Sequence, residues 1–213
     1  MSLGLDANAA READRTNSAI RTAGKYVGVI TRAEKLLSKK QTEGLGLSFK
    51  ADDGSTAQYL DLYTVNADGK TLPSFSTVNA ILCCTRTKQA DEGKIQFEKW
   101  DKDAHAMVKV EANGYPALMG KRIGLLLQQE LSTNSETGAD NDRVIIYGVF
   151  EADTELTASE ILDKKTQPEK LEKMVQALMN KPVNDRRTNK QSTSSAPVGS
   201  GSSFDEFDDD IPF

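Results

Sequence analysis

The residues with the most definite chemical use stand at the end of the chain. Phe204-Asp205-Glu206-Phe207-Asp208-Asp209-Asp210-Ile211-Pro212-Phe213 joins five carboxylates to apolar groups. Clustered acids repel one another and keep such a segment extended. A purely solubilising tail has no need of Ile211 and Phe213. The combination suits capture by another protein. Phe213 enters an apolar pocket and its α-carboxylate pairs with a basic residue at the rim. Asp208, Asp209 and Asp210 meet a basic ridge through charge-assisted bonds. Pro212 limits the conformations that binding must freeze out.

A second set of residues interleaves aromatic rings with basic groups. Tyr26 and Arg32 share one face of the first strand, opposite Val27 and Val29, and Tyr59 and Tyr63 lie opposite Leu60 and Leu62. Phe97 and Trp100 sit in a polar stretch with Lys94, Lys99 and Lys102. Lys39 and Lys40 fall in the first loop, Arg86 and Lys88 follow a helix, and Lys121 and Arg122 open a later strand. Rings that stack on bases, beside cations that follow a phosphate chain, make a surface for unpaired nucleic acid, each stacked base contributing about 1–3 kcal/mol. Other roles remain open for each. The tyrosines can pack under a loop or a C-terminal helix, Phe97 and Trp100 can form a small satellite core, and any single cation can be a solvated surface charge.

Catalytic patterns are not found. His105 has no zinc-ligand partners at useful spacing, and adjacent Cys83 and Cys84 do not make a tetrahedral site. No phosphate-binding loop and no nucleophile elbow occurs. A two-metal nuclease built on Asp61, Asp101 and Asp103 has only residue type in its favour. No cofactor, metal or enzymatic activity is expected.

The net charge of −5 at first argues against an anionic partner. Setting aside the five acids of the tail leaves 27 acidic residues against 27 basic ones, so the body is neutral and can carry a local basic groove. Cys83 and Cys84 are expected to be reduced and to act as small apolar packing, as in a cytoplasmic protein. The polar N-terminus lacks the apolar run of a signal peptide, and no stretch approaches a membrane span. The expected location is the cytoplasm, of a bacterium or an infected host cell, with no membrane partner.

The apolar pattern predicts strands at 25–32, 45–50, 56–65, 121–131 and 143–150, and a helix over 74–85. Residues 86–120 form a polar insertion. Thr157-Ala158-Ser159-Glu160 and Thr166-Gln167-Pro168-Glu169 have capping-box spacing and open two more helices. Leu171, Met174, Val175, Leu178 and Met179 make one apolar stripe, for docking on the chain's own sheet or for a homo-oligomer contact, dimeric or other. The expected organisation is an N-terminal arm (1–23), a binding domain (24–152), a helical segment (153–182), a disordered Ser/Gly/Asn-rich linker (183–203) and the acidic tip (204–213). Such a linker would hold the tip roughly 25 Å from the body.

Three strands, a helix, an insertion and two strands resemble the order of the OB-fold, and predict a mainly β, five-stranded closed barrel followed by C-terminal helices. The ending Asp208-Asp209-Asp210-Ile211-Pro212-Phe213 resembles the tip of bacterial single-stranded DNA-binding proteins, and the linker before it matches their layout. Glu43-Gly44-Leu45-Gly46-Leu47-Ser48-Phe49-Lys50 is similar to the second strand of phage-encoded relatives of OB type. The resemblance implies binding of single-stranded DNA. It also implies recruitment of replication, recombination and repair proteins by the tip, which competes with DNA for the body. The alternative is an interaction protein that captures replication factors through the tip without binding DNA.

Overall fold

The computed structural model describes residues 19–101, 105–134 and 137–187, with only the backbone of 100 and 101. The chain is mainly β. Strands β1 (Gly24–Leu37), β2 (Glu43–Ala51) and β3 (Thr56–Val65) precede helix α1 (Ser74–Cys84). A hairpin follows, β4 (Gly93–Asp101) and β5 (Ala106–Gly114), then β6 (Arg122–Thr133) and β7 (Asp140–Phe150). The chain continues through α2 (Ala158–Leu162), α3 (Leu171–Asn180) and a short β8 (Val183–Asp185).

β1 is long enough to serve two neighbours. Its first half pairs antiparallel with β6 and its second half with β2, giving the path β3-β2-β1-β6-β7. Ile30, Leu47, Phe49, Leu60, Ile123 and Leu125 fill the inner side of this curved sheet, and Ile81 of α1 closes it from one end. The other side of β6 is covered as well, which explains the unbroken run Leu125-Leu126-Leu127. Leu126 and Phe150 pack against Leu171 and Leu178 of α3, with Val27, Met174 and Val175 around them. The apolar stripe of α3 therefore docks on the chain's own sheet, except Met179, which stays 48% exposed.

Five expectations need correction. The sheet is open, because β3 and β7 face each other without a hydrogen-bonded ladder among the described residues. Strands β4, β5 and β8 were absent from the five-stranded pattern. Polar strands leave little hydrophobic periodicity, and β4–β5 is a two-stranded hairpin that meets the sheet at one paired position, Glu34 with Gly114. The N-terminal arm is shorter than expected. Ile20 lies in the core and its N–H donates to the Thr56 carbonyl at 2.7 Å. The linker begins later than 183, because β8 pairs in parallel with Gln129–Leu131. The buried Glu130 carboxylate holds that exit, taking Arg143 at 2.6 Å, Asn184 at 3.2 Å and Arg186 at 3.4 Å.

The fifth correction concerns the start of the last helix. The capping box at Thr157 forms as expected, but α3 starts at Leu171 with no cap from Thr166. The two residues that lead into it are held from a distance. One Glu160 oxygen accepts the N–H groups of Glu169 (2.7 Å) and Lys170 (2.9 Å), and the other accepts the N–H (2.8 Å) and hydroxyl (2.7 Å) of Thr157. Thus one buried carboxylate caps α2 and anchors the two residues just before α3. The remaining segments, including 188–203 and the tip, lie outside the described residues. No helix among the described residues is long and apolar enough to cross a membrane.

Burial raises the pKa of Glu160, but the hydrogen bonds from Thr157, Glu169 and Lys170 outweigh it and hold the carboxyl at about 2. A depressed folded-state pKa adds stability that is present above the ordinary carboxyl value and is lost as pH falls toward about 2. Glu160→Ala is expected to cost roughly 2–3 kcal/mol at neutral pH by chemical denaturation. It should also flatten the loss of stability between about pH 4.5 and pH 2.

Candidate nucleic-acid interface

Because α3 covers the outer side of β6 and of the first half of β1, the open outer face is that of β2, β3 and the second half of β1. The β4–β5 hairpin flanks it. Along β2 the outward positions are Gly44, Gly46, Ser48 and Lys50, so two missing side chains leave a trough. Arg32 of β1 lies across this trough. A Cβ on Gly46 would fall 2.6 Å from the Arg32 Nη2 atom. The guanidinium carbon sits 5.4 Å from the centre of the Tyr59 ring on β3 and 5.5 Å from that of Phe97 on β4. Three segments far apart in sequence meet there by cation–π contact.

Two bulges produce this arrangement. The β1–β2 register shifts between Ile30 and Arg32, so Thr31 is an extra residue and Arg32 turns outward. On β3 the register shifts again, with Leu60 opposite Leu47 but Ala57 opposite Phe49. Tyr59, in that extra stretch, has φ of 58°, a left-handed conformation that costs a bulky residue energy. The bulge places Tyr59 over Arg32 and leaves it 52% exposed. Tyr63 lies further along the same face beside Gly44 and is 38% exposed.

Arg32 is buried and neutralised. Its Nε donates to Glu34 at 2.8 Å, and Nη2 lies 3.8 Å from Asp61. Burial raises the Asp61 carboxyl, and the attraction of Arg32 and Arg143 only partly opposes this. Arg32 is thus a fixed, charge-balanced group behind the two rings. The cleft between Tyr59 and Phe97 holds only about 30 Å³, the share of one water molecule. A further ring does not fit between Tyr59 and Phe97, so the open surface of Tyr59 lies outside the cleft. Lys39 and Lys40 in the β1–β2 turn, Lys50 on β2 and Lys99 on β4 are exposed around this face.

The other expected residues lie elsewhere. Tyr26 packs against the inner core and bonds Thr22, because the bulge at Thr31 breaks the parity that placed it with Arg32. Arg86 donates to both Glu151 oxygens, at 2.5 and 3.0 Å. Arg122 grips Asp52 at 2.9 and 3.1 Å and lies 3.9 Å from Asp153. Lys25 pairs with Glu155. The acidic loop after β7 thus gathers three cations, two of them expected in the groove, and no ion pair between described residues links them to the Arg32 stack. Lys88 and Lys121 are exposed. Trp100 occupies β4 opposite Met107. Lys102 and the tip residues Asp208 to Phe213 lie outside the described residues. Cys83 and Cys84 are free thiols. Burial pushes Cys84 up to about 12, which keeps it protonated and suits it to packing.

Sequence reasoning overlooked Lys50 and the partnership of Arg32 with Glu34 and Asp61. The alternation of Gly44 and Gly46 with Leu45 and Leu47 could have signalled the trough, since glycine within a strand often marks a close approach.

Gly46→Ala is expected to push the Arg32 guanidinium out from between the rings and to cost about 1–2 kcal/mol in denaturant unfolding. The accompanying sign is loss of the ring-current shift on the Arg32 Nε proton in NMR spectra. No family model and no curated protein matches the chain.

Proposed function

We propose that the chain binds and protects single-stranded DNA during replication, recombination or repair, and recruits partner proteins through the tip Asp208 to Phe213. The observation that carries this reading is the Tyr59–Arg32–Phe97 stack on the outer face that α3 leaves open. A rigid aromatic platform with surrounding lysines takes unpaired bases irrespective of sequence.

The architecture supports the same reading. β1-β2-β3, helix α1 and β6-β7, with facing free edges, follow the order of the partly open, five-stranded OB barrel. In that fold the face of the second and third strands and the first loop take oligonucleotides. Here the stack lies over β2 and β3, and the first loop carries Lys39 and Lys40. The β4–β5 hairpin is then an insertion that supplies Phe97 to that face. The chain acts by binding, with no chemical step.

Fluorescence anisotropy with labelled oligo-dT at several salt concentrations tests the proposal. Affinity should fall steeply with salt, and Tyr59→Ala should weaken it by roughly tenfold. Joint replacement of Lys39 and Lys40 by Gln should lower the slope of log affinity against log salt by about 1.4. Arg86→Gln, which removes a partner of Glu151, should leave both values as they were. No complex in dilute buffer, or a Tyr59→Ala protein that binds as well as the parent, would overturn the proposal.

A further inference from the structure

The gap between β3 and β7, bordered also by Ala19 to Arg21, is a half-open pocket of about 530 Å³. Its walls carry Gln58, Tyr59 and Asp61 from β3 and Asn141, Asp142 and Arg143 from β7. The volume lies within the usual range of small-ligand sites. Tyr59 lines both this cavity and the cleft over Arg32, so a strand stacked on its ring passes the cavity mouth.

The cavity is poorly suited to an added β-strand. The bulge at Gln58 and Tyr59 breaks the regular spacing of the β3 edge, and charged side chains project into the gap, two devices that block edge pairing. It is equally poor for a phosphate. Arg143 is held by Glu130 at 2.6 Å, and Asp61 and Asp142 offset the one other cation on the walls, Arg21. What remains is a charge-balanced, amide-bearing cavity beside an aromatic ring. Asn and Gln pair with adenine, and Asp accepts from the cytosine amine. Thymine offers no exocyclic amine and would turn its carbonyl oxygens toward the carboxylates.

We propose that this cavity receives one nucleobase turned out of the bound strand, and that it prefers a base with an exocyclic amine, adenine or cytosine, over thymine. The proposal rests on the single-stranded DNA reading above and adds base selectivity to it.

The test uses the full chain and three oligonucleotides of equal length: all-dT, and the same strand with one central dA or one central dC. The dA or dC strand should bind roughly fivefold tighter or more. Asn141→Ala should bring the ratio of affinities to about one, a comparison that cancels any general loss of binding. In NMR spectra of the parent protein, the side-chain amide signals of Gln58 and Asn141 should shift with the dA strand more than with all-dT. Equal binding of all three strands overturns the base pocket while leaving DNA binding intact, as does a preference that survives Asn141→Ala. Suppose instead that β3 and β7 backbone amides become protected on concentrating the DNA-free protein, with the side-chain amides unmoved by the dA strand. The gap is then a pairing edge between copies, and the base pocket is overturned. If no strand binds at all, the underlying DNA reading falls with it.

Discussion

Arg32 joins three strands on the outer face of the sheet. Its guanidinium lies between Tyr59 of β3 and Phe97 of β4 and is charge-balanced by Glu34 and Asp61. A buried cation is tolerated only with such partners. Each neighbouring feature serves this one contact. Thr31 bulges so that Arg32 faces outward, Gly46 lacks a side chain so that the arginine can cross β2, and the strained Tyr59 backbone sets its ring over the guanidinium. Replacing the arginine by lysine would keep the charge but lose the planar group that both rings cover.

The remainder of the fold decides which surface stays available. Helix α3 covers the outer side of β6 and the first half of β1, and the two residues that lead into it are held by the buried Glu160 carboxylate. β8 is fixed along β6 by a second buried carboxylate, Glu130. Both acids act locally through hydrogen bonds, and the helix that follows Glu160 leaves the β2–β3 side as the open face. The acidic loop Glu151 to Glu155 has a comparable effect on charge, because it pairs with Lys25, Arg86 and Arg122. The exposed lysines of the β1–β2 turn are thereby the cations nearest in role to a phosphate track.

Much of this was legible in the sequence. Alternation placed β1, β2, β3, β6 and β7 and put Tyr59 and Tyr63 opposite Leu60 and Leu62. The 3.6-residue stripe of α3 predicted its docking. Interleaved lysines and aromatics identified the segment that became β4. Alternation failed where a single inserted residue changed parity, so Tyr26 was grouped with Arg32 although it points to the core. Counting cations failed for Arg86 and Arg122, because their carboxylate partners lie 65 and 70 residues away. Composition failed at Val183, where backbone pairing with β6 and polar contacts to Glu130, rather than apolar burial, order the chain. Closure of the barrel depends on long-range pairing between β3 and β7, and local patterns carry no information about that.

In the proposed complex, bases of an unpaired strand lie on the face bearing Tyr59 and Phe97. Ultraviolet cross-linking of the full chain to oligo-dT, with the attached peptides mapped by mass spectrometry, addresses it most directly. Adducts are expected on the peptides that contain Tyr59 and Phe97 and none on those from α3. Adducts concentrated on α3 or on the Glu151 to Glu155 loop, with the Tyr59 peptide unmodified, would contradict it.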